Sequence, residues 1–270
     1  MDSTRPIRAL IRGLDALTVL NLRDGATVSE VAHDIRLPRT TVYRILETLC
    51  NSGFAYRDSA DERYRLTILV RGLSDGFDDE AWVNQIAKPL IHSLCAEIVW
   101  PVSIATLCGT KMMLREATDH STPLAIERYS AGFQLPLLNT ATGRAYLANC
   151  PAAQRDALIE ILARSNKEED KPARDRAELL RALAEIKSQG HATATHTRRL
   201  VDQYSIGVPV PLNDRTLAVL TVRFIAPALS LRAGIERFLP KLRQCAAKIS
   251  TVFSEQQAKA DAQTVRRATV

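Results

Sequence analysis

Residues 27–54 read TVSEVAHDIRLPRTTVYRILETLCNSGF. Thr27-Val28-Ser29-Glu30 has the S/T-x-x-E form of a capping box, in which hydroxyl and carboxylate each satisfy an exposed N–H of a starting helix. The helix it opens is short, with Val28, Val31, Ala32 and Ile35 turned inward. Arg36-Leu37 makes the turn, and Pro38 stands where a starting helix tolerates a residue without an N–H. Val42, Ile45, Leu46 and Leu49 then form one apolar stripe at spacings of three and four, and Gly53 stops that helix. Upstream, Ile7, Leu10, Ile11, Leu14, Leu17 and Leu20 predict an amphipathic helix ended by Asp24-Gly25. Downstream, extended runs at 54–57 and 63–67 flank the polar turn 58–62, a hairpin placed like a wing. Three helices and a hairpin in this order predict a winged helix–turn–helix.

A helix–turn–helix sets its second helix into the major groove, leading with its N-terminal residues. The side of this helix opposite the apolar stripe carries Thr40, Tyr43, Arg44, Glu47 and Asn51, with Arg39 and Thr41 at its leading edge. Arg36, Arg39 and Arg44 lie in a stretch, 35–46, without one acidic residue. Residues 1–77 hold eleven basic side chains, all arginine, against ten acidic ones. Arginine can fork bidentately onto phosphates and guanine edges, which lysine cannot. Arg39, Thr40, Thr41, Tyr43, Arg44 and the wing residue Arg63 are therefore the expected DNA contacts, with Arg57 and Arg65 near the backbone. The competing account is a solvated polar face on a small helical domain. The capping box, short turn, proline start and wing in register favour DNA.

At 270 residues the chain has room for a little under two domains. It is 46% apolar and 24% charged, ordinary for a folded chain, with net charge +6. No apolar stretch approaches the roughly 18 residues needed to span a bilayer. Arg8, Arg12 and Asp15 interrupt the N-terminal apolar pattern, against a signal peptide. Five scattered cysteines without a C-x-x-C oppose a disulfide framework or zinc site and fit a cytoplasmic location. His191 and His196 lack a further ligand at metal spacing. There is no P-loop, G-x-G-x-x-G or G-x-S-x-G, and no paired acid and base. No catalytic residues, metal or cofactor are expected.

Residues 68–98 read as a helical connector, with Pro89 starting a helix that carries Leu90, Leu94 and Ile98. From Val99 the period changes to strands at 102–107 and 112–118 around Gly109-Thr110, with a shorter candidate at 124–128. Helices at 140–148, 152–163 and 174–188 follow. Strands at 206–210 and 217–224 flank Asn213-Asp214. A last helix runs from Leu231 to Val252, interrupted near Pro240, and the chain frays from Gln256. The fold class is α+β, with a mostly antiparallel sheet flanked by helices. The expected divisions are a DNA-binding domain at 1–76, a connector at 77–98, a second domain at 99–254 and a tail at 255–270. Trp82, Val83 and Ile86 of the connector form either a dimer seam or a cap on their own domain.

LPRTTVYRILETLCNSGF (37–54), followed by YRL (64–66), resembles the winged helix–turn–helix of the IclR family of bacterial transcriptional regulators. LPLLNTATGRAYLA (135–148) is similar to that family's effector-domain signature, and SIGVPV (205–210) to its later strand. The likeness runs from about Ile7 to Ile249. Within the family, RLTILVRGLSDGF (65–77) and VWP (99–101) look most like the activators of phenylpropionate and other aromatic-acid catabolism. The resemblance implies a symmetric dimer or dimer of dimers on operator DNA, with RNA polymerase a conceivable further partner. It also implies a small organic-acid effector in the C-terminal domain. The effector's carboxylate would sit on the amides of Ala141 and Thr142, with Leu124 and Leu135 as apolar walls and Ser205, Thr221 and Arg223 as polar contacts. The family's acidic position before Ser205 has no clear counterpart in 196–202. Thr221 and Arg223 share a strand face. Either that face is inward, where Arg223 needs an anion, or it meets solvent while Val222 and Phe224 face the core. A different function remains open at this level: a small-molecule-binding module or enzyme whose N-terminal domain serves only assembly.

Overall fold

The computed structural model describes residues 7–23, 25–73, 82–197 and 201–268. Asp24, connector residues 77–81, loop residues 198–200 and the last two residues lie outside the described part. Contacts divide the chain into two units, Met1–Asp79 and Glu80–Val270.

The first unit holds α1 (Arg8–Arg23), α2 (Val28–Asp34), α3 (Arg39–Asn51), β1 (Ala55–Arg57), β2 (Tyr64–Leu66) and α4 (Ile68–Gly72). The capping box forms as the sequence predicts: Glu30 N–H donates to Thr27 Oγ1 at 3.3 Å, and Thr27 N–H donates to Glu30 Oε2 at 2.8 Å. The core gathers Ala16, Leu20, Val31, Val42, Leu46, Ala55 and Tyr64. Ala26 and Tyr64 exchange backbone hydrogen bonds of 3.0 and 2.9 Å, which tie the wing to the loop before α2. The periodicity places α1 correctly but misjudges its inner face. Ala16 and Leu20 are buried, while Ile7, Leu10, Ile11 and Leu14 are 69, 60, 47 and 54% exposed. This stripe has no cover within its own unit.

The second unit opens with a π-helical turn (Val83–Ala87) and α5 (Lys88–Ile98), which has its proline in the first turn. Then come β3 (Val102–Cys108), β4 (Lys111–Ala117), β5 (Gln134–Pro136), α6 (Ala141–Asn149), α7 (Ala152–Ala163), α8 (Arg176–Gln189), β6 (Ala192–His196), β7 (Gln203–Leu212), β8 (Arg215–Ile225) and α9 (Leu231–Ala268). The six strands pair antiparallel in the order β5-β4-β3-β8-β7-β6.

Helices cover both faces of this sheet. Ile104, Ile206, Val208, Leu220, Val222 and Phe224 face α5 and α9 in one core. Trp82, Val83 and Ile86 join that core, so these three connector residues cap their own unit. Ala105, Val219 and Ala192 face α6 in the second core, which α7 and α8 complete. α6 sits very close to its surroundings, and two glycines allow this. A Cβ on Gly143 would lie 2.3 Å from the Leu137 carbonyl oxygen, and one on Gly207 would lie 2.9 Å from that of Ala141.

Two expectations need correction, and one strand was not read from the sequence. The 124–128 run forms no strand; the edge is β5 instead, three residues whose apolar pattern is too short to stand out. β6, ATATH, alternates weakly in a sequence of small residues. α9 runs unbroken through Pro240 to Ala268. Proline removes one helical hydrogen bond, but the fully buried Phe238 and Leu242 on either side anchor the helix to the sheet. Among the described residues no helix is long and apolar enough to cross a membrane.

Candidate nucleic-acid interface and ligand cavity

α3 begins directly after Pro38 and buries only Val42 and Leu46. Arg39, Thr40, Tyr43 and Arg44 are exposed, and Thr41 is half-buried. Glu47 does not belong to this free face: it accepts the Tyr64 hydroxyl at 2.9 Å. Burial, with this carboxylate's help, pushes the Tyr64 hydroxyl up to about 12.

The arginines of the unit fall into two groups. Arg23 is bound to Asp34 at 2.6 and 2.9 Å, and Arg57 to Glu62. Arg65 reaches Asp58 at 2.8 Å and Asp61 at 2.6 and 2.9 Å, and its hydrogen bond holds the Asp61 carboxyl down at about 2. Arg63 forks onto both oxygens of Glu30 at 3.0 and 3.2 Å and donates to the Gly25 carbonyl at 3.2 Å. Arg63, expected on DNA, is thus held as a partly exposed brace between wing and capping box. Arg36, Arg39 and Arg44 have no carboxylate partner among the described residues. Arg44, Thr40, Thr41 and Thr48 also border a groove against Arg12 of α1.

In the second unit a cavity of about 320 Å³ lies between the sheet, the start of α6 and the segment around Tyr129 to Pro136. Strand register explains its floor. Ser205 pairs with Arg223, Gly207 and Ser103 pair with Thr221, and His196 pairs with Gln203, so these residues share the face under α6. Thr142 and Thr221 hydroxyls are 2.9 Å apart, and His196 Nε2 is 3.3 Å from Ser205 Oγ. Leu114, Tyr129, Phe133, Leu135 and Pro136 make the apolar walls. At the start of α6, Thr140 Oγ1 caps the Gly143 N–H at 3.0 Å, while the Ala141 and Thr142 amides have no acceptor among the described residues.

Of the expected effector contacts, Leu135, Thr142, Ser205, Thr221 and Arg223 line this cavity. Ala141 is buried in the first turn of α6. Leu124 is elsewhere: the segment after β4 carries it to the α5/α9 core. Sequence reasoning missed Ser103, Tyr129, Phe133, Gln203 and His196. Register opposite Thr221 would have found Ser103, but Tyr129 and Phe133 sit in a loop without a period.

Arg223 is the informative residue. Both faces of β8 are buried, with Thr221 at 3% and Val222 at 0% exposure, so the solvent-facing alternative fails. The Arg223 side chain is 13% exposed and its partner Asp119 is 0% exposed. Its guanidinium also lies 4.4 Å over the Tyr129 ring and donates to the Glu127 carbonyl at 3.5 Å. An inward arginine needs an anion, and the chain itself supplies one from 104 residues away. Burial pushes the Asp119 carboxyl up despite the attraction of Arg223.

Comparison with known proteins agrees with this geometry. Residues 9–59 match the IclR helix-turn-helix domain, and residues 79–251 match the bacterial transcriptional regulator IclR C-terminal domain. The chain is 26% identical over 217 residues to the transcriptional regulator TsaQ1/TsaQ2 of Comamonas testosteroni, covering 80% of this chain and 77% of that protein. It is 25% identical over 254 residues to the repressor AllR of Salmonella typhimurium, covering 91% and 90%. The crystal structure of Thermotoga maritima IclR shares the fold, with a TM-score of 0.62 at 20% identity over 91% of this chain and 98% of that one. The chain belongs to the IclR family of DNA-binding transcriptional regulators.

Proposed function

We propose that this regulator answers to an organic acid, an aromatic one for preference, and controls genes for that acid's breakdown. The carrying observation is the cavity. It combines an aromatic wall, Tyr129 and Phe133, with two free amides at the start of α6 and a cationic Arg223. Helix N-termini attract anions through exposed N–H groups and the helix dipole. A volume of about 320 Å³ is at the small end of ligand pockets and suits one ring better than a two-carbon acid. A Microbacterium hydrocarbonoxydans IclR homolog of the same fold, at TM-score 0.58 and 20% identity, was solved with 4-hydroxybenzoate. A screen of melting temperature against aromatic and aliphatic carboxylates tests the reading. A ligand bound by the native state alone raises stability. Aromatic acids are expected to give the larger shifts and to change a mobility shift on the protein's own promoter DNA. No shift with any acid overturns the reading.

Arg39, Thr40, Thr41, Tyr43 and Arg44 read or hold the operator in this proposal, since α3 presents them uncommitted to any carboxylate. The protein acts in the cytoplasm as a two-fold dimer on a pseudo-palindromic site. One head contacts too little DNA for high specificity, and two heads need half-sites about 34 Å apart or a multiple. The exposed apolar stripe of α1, and not the buried connector, is the surface that supports self-association. Sedimentation showing a monomer at micromolar concentration overturns the dimer.

A further inference from the structure

Asp119 begins the short turn Asp119–Ser121 that follows β4. One of its oxygens accepts from Arg223 Nη2, and the other, Oδ2, is buried without a side-chain hydrogen-bond partner among the described residues. The remaining charged and titratable groups nearby are occupied or turned away. The Glu127 carboxylate accepts the Tyr129 hydroxyl at 2.5 Å. His120 is exposed. His92 of α5 stands 3.4 Å from Ser121 Oγ and 3.8 Å from Glu116, which Lys88 holds at 3.0 Å. His196 faces Ser205 across the cavity floor. Besides the backbone N–H groups of Tyr129 and of Asp119 itself, the charge of Asp119 rests on one cation among the described residues, and that cation lines the cavity. Arg223 has five N–H donors and two acceptors among the described residues, so its fork is open to a further anion.

Resting on the effector reading above, we propose that an acid entering the cavity binds Arg223, and that Asp119 takes up a proton from solvent as it does so. Two carboxylates on one buried guanidinium would leave a negative charge without a counter-ion. Such a charge is removed by protonation, because a like charge nearby and loss of water both disfavour ionisation. Asp119 is the one to yield. It is fully buried, it holds an unpartnered oxygen ready for the proton, and burial already raises its carboxyl above the usual range. The proton comes from solvent and stays on Asp119, so the net charge of the filled site equals that of the empty one. The cavity thereby selects monoanions and releases them as pH rises.

Calorimetry on the full chain tests this, with benzoate, 4-hydroxybenzoate and phenylacetate as probes. Titrations at one pH in buffers of different ionisation heat count the protons taken up. The expected result is about one proton per acid, with affinity falling about tenfold per pH unit where Asp119 is ionised in the free protein. The neutral 4-hydroxybenzamide is expected to take up none. Asp119→Asn binds the acids without uptake and with a flat pH profile, whereas His196→Gln retains uptake. Acid binding without uptake in the parent overturns the proposal and leaves the effector reading standing. Uptake undiminished in D119N, or lost in H196Q, assigns the proton elsewhere and also overturns it. Binding by none of the three acids overturns the effector reading and this proposal with it. Should D119N not fold, the contrast between acid and amide in the parent together with uptake in H196Q decides: loss of uptake in H196Q, or no contrast in the parent, overturns the proposal.

Discussion

The arginines of the third helix and those of the wing differ in whether a carboxylate holds them, and this decides what each can do. Arg39 and Arg44 lack a carboxylate partner among the described residues, while Arg57 has one and Arg63 and Arg65 have two each. The N-terminal segment is close to neutral in total. Its acids nevertheless gather at the wing and the start of α2, where Glu30, Asp58, Asp61 and Glu62 are consumed. The reading helix is left with net positive charge although the segment has almost none. Arg223 in the second unit repeats the wing's arrangement in a buried setting, with Asp119 as its anion. In the first unit a charged side chain is thus an interaction site according to what already holds it, whereas buried Arg223 keeps N–H donors to spare beside its anion.

Breaking the buried pair is expected to have the largest effect. Arg223→Ala leaves Asp119 without its cation, and removing one partner of a buried ion pair costs about 3–5 kcal/mol. Denaturant unfolding at pH 7 measures this. The deficit should shrink as pH falls, since Asp119 carries a raised pKa and becomes neutral in native and unfolded states alike. Asp119→Ala added to Arg223→Ala should recover part of the loss. Arg223→Lys should recover less than full stability, because an ammonium lacks the planar fork and the face that lies on Tyr129. A single variant as stable as the parent would mean that the buried pair contributes nothing to the fold.

On the free arginines the effect moves from stability to DNA. Arg39→Ala should weaken operator binding by about 1–3 kcal/mol and relax sequence preference if it reads a guanine. Arg44→Ala should lower the salt slope of binding by about 0.9, one phosphate's share of counterion release. Neither should move the melting temperature. Arg63→Ala should do the reverse. Its pair with Glu30 is partly exposed, so the loss is at most about 1 kcal/mol of stability, with the salt slope unchanged. Footprints and salt titrations of the three variants separate the two groups. A reduced slope in Arg63→Ala would return that residue to the DNA.

The legible parts of this molecule were those governed by local rules. T-V-S-E marks its helix start because a capping box is contained in four residues, and Pro38 marks the next start for the same reason. The α3 stripe and the antiparallel class of the sheet follow from period. The inner face of α1 did not, because periodicity says that a stripe exists and not what covers it. β5 and β6 escaped because three residues, or five small ones, carry too little pattern. In the cavity, the strand-face rule put Thr221 and Arg223 together and register would have added Ser103. Nothing local could reveal that the anion for Arg223 is Asp119, or that Glu30 serves both its own helix and Arg63. Those pairings cross 104 and 33 residues and exist only once the sheet and wing are built.

The smallest expected effect is at the rim of the wing, and it sharpens the contrast between held and free arginines. Asp61 titrates at about 2 because Arg65 donates to it, and Glu30 is held low first by the Thr27 backbone N–H and then by Thr27 and Arg63 side chains. A depressed carboxyl contributes stability above its unfolded value, roughly 4, and loses it as pH falls through the folded value. The wing arginines therefore stay tied throughout pH 5–8, and the salt slope of DNA binding should be constant across that range. Asp61→Asn removes a carboxylate from Arg65 but leaves Asp58 at 2.8 Å. The guanidinium is only half released, so the salt slope should steepen by less than the 0.9 or so of one full phosphate contact, with at most a small fall in melting temperature. A full unit's increase would show that Asp61 alone kept Arg65 from the DNA. A steepening between pH 8 and 5 in the parent would show that the wing's ties open far above the titration of Asp61, and the division between free and held arginines would then depend on pH.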